Sequence, residues 1–330
     1  MGDGHPSYLA LLRTGELAAR AEAAAARLAR CTLCPRACGV DRRGDARGFC
    51  RTGRRAVVSS AVPHLGEEPP ISGRRGSGTI FFTHCNLACK FCQNYEISHL
   101  GRGEEAEREE LAELMLALQK RGCHNVNLVT PSHVAPQILE ALVTAAERGL
   151  RLPLVWNSGG YDGLETLALL DGVVDIYMPD MKYGRNEDAA RLSDAPDYAD
   201  RAREALRAMH RQTGDLVLDD DGIAARGVLV RHLVLPGDAA GTGACLEFLA
   251  GELSTGIGLS LMSQYRPAFR AREEPALARR LSRREYRAAR ARADALGFTR
   301  MFVQELESAE DWVPSFEDED PFRRWRGGGR

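Results

Sequence analysis

The sequence predicts an α/β protein whose core is a run of parallel βα units, and three observations predict it. Short runs that are almost wholly apolar recur along the chain, as strands buried on both faces do. They alternate with stretches of helical periodicity, and the first two of those stretches each close on a glycine, at Gly122 and Gly149. Six such strands fall between residues 78 and 263, too regular a series for separate small domains. An open doubly wound sheet and a full or partial (β/α) barrel both satisfy this pattern, and periodicity does not separate them.

Taken in order, residues 1–55 read as an amphipathic helix, "YLALLRTGELAARAEAAAARLARC", followed by a Cys-, Gly- and Arg-rich segment; together they form an N-terminal module. Residues 56–77 read as a linker, with "VPHLGEEPPISGRRGSG" as its turn-rich connector. The βα core occupies residues 78–270. Its strands are "GTIFFTH", "NVNLVT", "LPLVWN", "VVDIYM", "GVLVRHLVLPG" and "IGLSLMS". Its helices begin with "EEAEREELAELMLALQKRG" and "APQILEALVTAAERG"; residues 186–213 are helical with a break near Pro196. Residues 271–330 supply a helix, a last strand "FTRMFVQE" and an acidic, Gly-rich tail read as disordered. In that helix Ser282 is the N-cap and Glu285, three residues on, completes a capping box.

Of the 330 residues 44% are hydrophobic, enough for a sizeable core in a single α/β barrel domain. The formal charge of −2 gives no basic field for nucleic acid. No apolar run is long enough to span a membrane, and the N-terminal stretch is broken by Arg and Glu, unlike a signal peptide. The reading is a protein of the reducing cytoplasm, where nine cysteines are not disulfide staples.

The cysteines are unevenly placed. Cys123 and Cys245 stand alone and read as small buried hydrophobes. "CNLACKFC" places Cys85, Cys89 and Cys92 at C-x3-C-x2-C just after the first core strand. Three thiolates can hold a metal but leave it incompletely ligated: structural zinc wants four ligands, whereas a [4Fe–4S] cube on three cysteines keeps one iron open for substrate or cofactor. A zinc knuckle borrowing a distant histidine is the alternative; His84 is too close to Cys85 for an unstrained chelate.

With Phe91 before the last cysteine, this stretch resembles the radical S-adenosylmethionine (SAM) signature. "THCNLACKFCQN" is most similar to the pyruvate formate-lyase activating enzyme branch and its PflX-type relatives. The resemblance covers residues 78–267 and implies a partial (β/α)6 barrel. It implies that Cys85, Cys89 and Cys92 ligate three irons, that SAM chelates the fourth, and that Phe91 packs near the adenine. "IYMPDMKY" resembles the activase strand end carrying an Asp-x-Lys pair, which makes Asp180 and Lys182 the catalytic candidates, with Asp180 also near SAM. "WNSGGY" places Asn157 and Ser158 at the preceding strand end, Asn157 standing where the activases carry Asp. "LVRHLVLPG" places Arg231 where the family has an arginine that approaches SAM. The family's Gly-Gly-Glu run after the second strand is absent; "VTPSH" stands there, leaving Thr130 and Ser132 as cofactor contacts, with the Thr130 carbonyl the acceptor for the SAM ammonium and His133 a candidate substrate contact.

Upstream, "CTLCPRACGVDRRGDARGFC" is C-x2-C-x3-C-x11-C, so Cys31, Cys34, Cys38 and Cys50 form a complete tetrathiolate set. Zinc and a second iron–sulfur cluster both suit it. The combined reading is an enzyme that cleaves SAM for hydrogen abstraction, with glycyl-radical activation of a separate protein as the implied case and flavodoxin or ferredoxin as electron donor. Radical modification of a small molecule, peptide or RNA is the enzymatic alternative. A zinc-binding interaction module is the non-enzymatic one.

Overall fold

The computed structural model describes residues 6–303, together with Phe316 and Pro321. The tail from residue 317 lies outside the described residues except for Pro321, as does the predicted last strand beyond Val303.

The N-terminal helix forms as two pieces, α1 (Tyr8–Thr14) and α2 (Glu16–Ala26). Gly15 separates them; its left-handed φ of +77° ends α1 with a backbone bond to the Leu12 carbonyl. Ser7 ties this end down, donating from both its N–H and its hydroxyl to the buried Asp175 carboxylate at 2.8 Å, while the Tyr8 hydroxyl donates to the Leu152 carbonyl at 3.0 Å. The segment between residues 31 and 50 has little regular structure. It is seated by the Thr166 hydroxyl on the Leu33 carbonyl at 2.7 Å.

Residues 56–77 are not a linker. They contain β1 (Ala56–His64) and the short α3 (Pro69–Ser72), and β1 pairs antiparallel with β2 (Ser77–Phe82). Residues 57–61 are all half-buried, so no alternation marks β1 in the sequence. The chain continues through α4 (Tyr95–Ser98), β3 (Glu104–Ala106), α5 (Arg108–Lys120), β4 (Val126–Val129), α6 (Ala135–Glu147), β5 (Leu154–Asn157), α7 (Leu164–Leu170) and β6 (Ile176–Tyr177). It then forms α8 (Asn186–Ser193), α9 (Tyr198–Thr213), β7 (Val217–Leu218), β8 (Ala224–Leu233), α10 (Thr242–Phe248), β9 (Gly258–Met262), α11 (Arg283–Leu296) and β10 (Arg300–Val303). Both halves of the Ser282–Glu285 capping box form, and the break between α8 and α9 falls where Pro196 predicts it. The start of the first core helical stretch is instead β3, which pairs with β1.

The sheet order is β10-β9-β8-β6-β5-β4-β2-β1-β3, with β7 a short antiparallel partner of β8. From β2 through β10 the path is parallel, and each new strand joins the same edge as the one before. A doubly wound sheet reverses its order at a switch point; this one does not, which selects the barrel type of winding. β3 and β10 end the path without pairing to each other, so the barrel is partial. Helices α1 and α2 lie against α6, and α2 also meets α7. Parallel strands put all their C-terminal ends on one rim, and the cysteine loop, Asn157 and Asp180 sit there.

Candidate active site

That rim encloses a cavity of about 290 Å³. Cys85, Cys89 and Cys92 line one wall, in the loop after β2. The loop rests on the C-terminal end of α8: the Ala88 and Lys90 N–H groups donate to the Ser193 and Leu192 carbonyls at 3.0 and 2.9 Å. Each thiol has a local donor or partner. Leu87 N–H points at Cys85 Sγ (3.4 Å), the Ser193 hydroxyl at Cys89 Sγ (3.0 Å), and the Ser98 hydroxyl lies 3.1 Å from Cys92 Sγ. Burial pushes the Cys85 thiol up and the Cys92 thiol up to about 11, so without a metal both are held protonated. Among the described residues no three Cys, His, Asp or Glu side chains form a group able to hold a single metal ion. Three thiols on one cavity wall without a fourth ligand do suit a cube with one cysteine per iron, which spreads its ligands wider than one tetrahedral ion. The donor set and the cavity therefore fit a [4Fe–4S] cluster on Cys85, Cys89 and Cys92.

Phe91 is buried behind the loop, edge-on to Tyr183 and Tyr265 with ring centroids 6.4 and 6.1 Å away. It also lines the cavity. Across from it, Lys182 Nζ donates to Asp180 Oδ2 at 2.5 Å. Burial, the largest single effect, works against the charge on Lys182, but attraction to Asp180, Cys89 and Tyr198 together with the Asp180 hydrogen bond outweighs it and raises the lysine above its ordinary value. The β5 and β6 ends that carry these groups are clamped by Tyr198. Its buried hydroxyl lies 2.8 and 3.0 Å from the Gly159 and Asp180 carbonyls and accepts the Lys182 N–H at 2.9 Å. Gly160 is required beside them: its φ is +75°, and a Cβ there would stand 2.2 Å from the Asp180 carbonyl oxygen.

Arg231 lines the cavity but is not free. It pairs with both Glu67 and Glu68, its Nε donating to Glu68 Oε1 at 2.9 Å. Burial opposes ionisation of Glu68, but attraction to Arg231 and hydrogen bonds from Arg231 and Ser260 outweigh it and hold the carboxyl below its usual range. Asn127 further anchors Glu67, Nδ2 to Oε1, at 2.9 Å. Sequence reasoning assigns these two glutamates no role, because they sit in the supposed connector; two adjacent carboxylates ahead of Pro69-Pro70 are the available signal.

Asn157, Ser158 and Thr130 also line the cavity. Thr130 holds a φ of +62°, an outlier for a β-branched residue and doubly so before a proline. Its N–H donates to the Asn157 carbonyl at 2.9 Å. Ser132 is a correction: it does not line the cavity, and its hydroxyl donates to Asp162 Oδ1 at 2.7 Å. Asp162 also accepts from the Ser158 hydroxyl (2.5 Å) and the Trp156 indole (3.1 Å), and burial raises its pKa. This buried hub was not visible in the sequence. His133 is turned away from the cavity too. Its Nε2 lies 2.9 Å from the Thr83 carbonyl, and burial depresses its pKa to about 3, so it is neutral.

Residues 79–219 match the family described as "Radical SAM superfamily". The chain is 34% identical over 263 residues to an uncharacterized protein of Methanocaldococcus jannaschii, a match covering 77% of this chain and 71% of that one. Among solved structures it is similar to a radical SAM methyltransferase from Sphaerobacter thermophilus, at 15% identity and a TM-score of 0.45, covering 70% of this chain and 68% of that one. The matched span begins in β2 and contains the three-thiol loop and the Asp180–Lys182 rim, and on these grounds the chain belongs to the radical SAM superfamily.

Proposed function

We propose that this radical SAM enzyme abstracts hydrogen from a peptide or protein substrate on a separate chain, with SAM as its radical source. The observation that carries the SAM part of the reading is the charge balance of the cavity; the peptide or protein substrate rests on the resemblance to the activases. Its ion pairs, those of the cavity, are the partly exposed Lys182 with Asp180, and the largely buried Arg231 with both Glu67 and Glu68. One carboxylate is in excess. SAM, with a sulfonium, an ammonium and a carboxylate, carries one excess positive charge, so cavity and ligand are complementary. The excess comes from the loop after β1, where it offsets the missing acidic residue after β4.

When bound on Cys85, Cys89 and Cys92, a [4Fe–4S] cluster supplies the electron that splits SAM into methionine and the 5′-deoxyadenosyl radical. The chain's own groups bind and orient. Phe91 offers an apolar, aromatic wall; Asp180 and Lys182 hold fixed charges at the rim; Leu87, Leu233 and Met262 keep water out of the inner cavity. The left-handed Thr130 redirects its carbonyl, the acceptor proposed for the SAM ammonium. A reductant such as flavodoxin or ferredoxin is the general need of radical SAM enzymes. Glycyl-radical activation is the finer form of the proposal, supported by the resemblance of "IYMPDMKY" to the activases. Among the described residues no helix is long and apolar enough to cross a membrane.

The test is anaerobic incubation of the reconstituted chain with SAM and a strong reductant. The expected products are 5′-deoxyadenosine and methionine, with cleavage abolished by Cys85→Ala, Cys89→Ala or Cys92→Ala. Undiminished turnover in all three variants refutes the site. Mass spectrometry of added glycyl-radical enzymes, peptides, small molecules and RNA then assigns the substrate class; modification confined to a small molecule or RNA refutes the peptide assignment.

A further inference from the structure

The four upstream cysteines are unused by the chemistry above. Cys31, Cys34, Cys38 and Cys50 line one small void of about 10 Å³, room for about one water-sized occupant. Arg42 is 1% exposed beside them. Its Nε and Nη2 donate to the Gly53 carbonyl at 3.1 and 3.0 Å, and its Nη1 to the His133 carbonyl at 2.8 Å, with Cys31 Sγ 3.8 Å away. Carbonyls take three of its five N–H hydrogens but none of its charge, and among the described residues no carboxylate pairs with it. A buried cation without a counter-charge is costly. Arg36, half-buried and lining the same void, is a second cation with no carboxylate partner among the described residues. Its guanidinium lies over the Phe49 ring at 3.5 Å, its Nε donates to the Asn86 carbonyl at 2.9 Å, and its buried Nη2 has no hydrogen-bond partner.

The nearby groups that can become anions are the thiols. We propose that Cys31, Cys34, Cys38 and Cys50 hold a second metal centre, a tetrathiolate whose net negative charge is the counter-charge of Arg42 and Arg36. Four thiolates around a divalent ion leave two negative charges, one for each guanidinium. Binding displaces the thiol protons to solvent, and no redox step is needed. The backbone is already shaped for it: Phe49 N–H donates to Cys38 Sγ at 3.4 Å, and Gly48 has no Cβ where one would stand 2.8 Å from that sulfur. The thiols do not yet surround a single point, so ligation draws them inward on a zinc ion or settles them around an iron–sulfur cluster; the tetrathiolate chemistry is shared. The centre adjoins the SAM cavity through one residue. The Asn86 carbonyl accepts from Arg36 Nε at 2.9 Å, and its side-chain Oδ1 lies 3.8 Å from Cys85 Sγ.

The test uses the full chain with Cys85, Cys89 and Cys92 all changed to Ser, purified anaerobically and assayed for zinc, iron and acid-labile sulfide. The expected result is about one equivalent of zinc, or iron with matching sulfide. Arg42→Met in the same background should weaken retention against a chelator by about tenfold, as loss of an outer partner does. If the triple variant is folded by circular dichroism yet takes up neither zinc nor iron with sulfide, the proposal is overturned. Should the triple variant not fold, the otherwise intact chain decides: metal content unchanged by Cys34→Ser with Cys38→Ser overturns it, and loss of one class of metal supports it.

Discussion

Replacing Arg231 by Met tests whether the cavity is held by its buried charges. The side chains of Arg231, Glu67 and Glu68 are only 14%, 8% and 6% exposed, so solvent screens them little. Removing the cation strands two buried carboxylates, and breaking a buried pair in this way costs about 3–5 kcal/mol. For a chain of 330 residues that is a fall in Tm of roughly 4–7 °C. Glu68→Gln, which leaves Glu67 to balance the arginine, should cost about 1–2 kcal/mol. The pH dependence separates charge from packing. In the parent, Glu68 lies below its unfolded value, so its contribution is present above about pH 4.5 and is lost as pH falls through the lowered folded value. Without Arg231 burial, the largest effect, is opposed only by the Ser260 and backbone hydrogen bonds, and the Glu68 pKa rises above its unfolded value; the penalty is then full at high pH and fades on acidification. Scanning calorimetry or dye-monitored melting from pH 8 to pH 5 should therefore show the gap between variant and parent closing as pH falls. A variant that melts within 2 °C of the parent at pH 8, or whose deficit is pH-independent, refutes the electrostatic argument.

Asp180→Asn should lower SAM cleavage by more than about tenfold while costing only about 1–2 kcal/mol of stability, since Asp180 and Lys182 are about a quarter exposed; cleavage that falls only in proportion to the folded fraction, measured by melting and product chromatography together, makes the pair structural. Gly160→Ala should cost about 3 kcal/mol or more, because the new Cβ meets the Asp180 backbone carbonyl, whereas Gly122→Ala, with φ +81° but open space around it, should cost about 1–2 kcal/mol. Equal Tm losses in the two glycine variants would show that strain, not the contact with Asp180, sets the cost.

Much of the barrel was legible because its strands are buried on both faces, and complete burial writes itself as apolar runs such as "TIFF" and "NLV". β1 was not, since a half-buried strand with Ser59 and Ser60 at its middle resembles a turn-rich connector. The cysteines and the Asp180–Lys182 pair were readable because their spacing is local. The Glu67, Glu68 and Arg231 cluster was not, because its partners are 163 and 164 residues apart and nothing in either stretch names the other. Asp162 escaped for the same reason: its partners include Ser132, 30 residues away, which a purely local reading gives to the cofactor.

The way the first fifty residues are fastened has a mechanical consequence. Ser7 and Tyr8 grip Asp175 and Leu152 beneath β6 and β5, and the other end is gripped at the opposite rim by Thr166 on Leu33 and by Arg36 on Asn86. Between these anchors α1 and α2 lie along the outer helices. The segment acts as a tie rod: a load that would slide the α6–α7 layer past the sheet must stretch it lengthwise. A large partner pressing on the rim therefore meets stiff strand ends at Asn157 and Asp180, and compliance is left to β3 and β10, which end the sheet among the described residues.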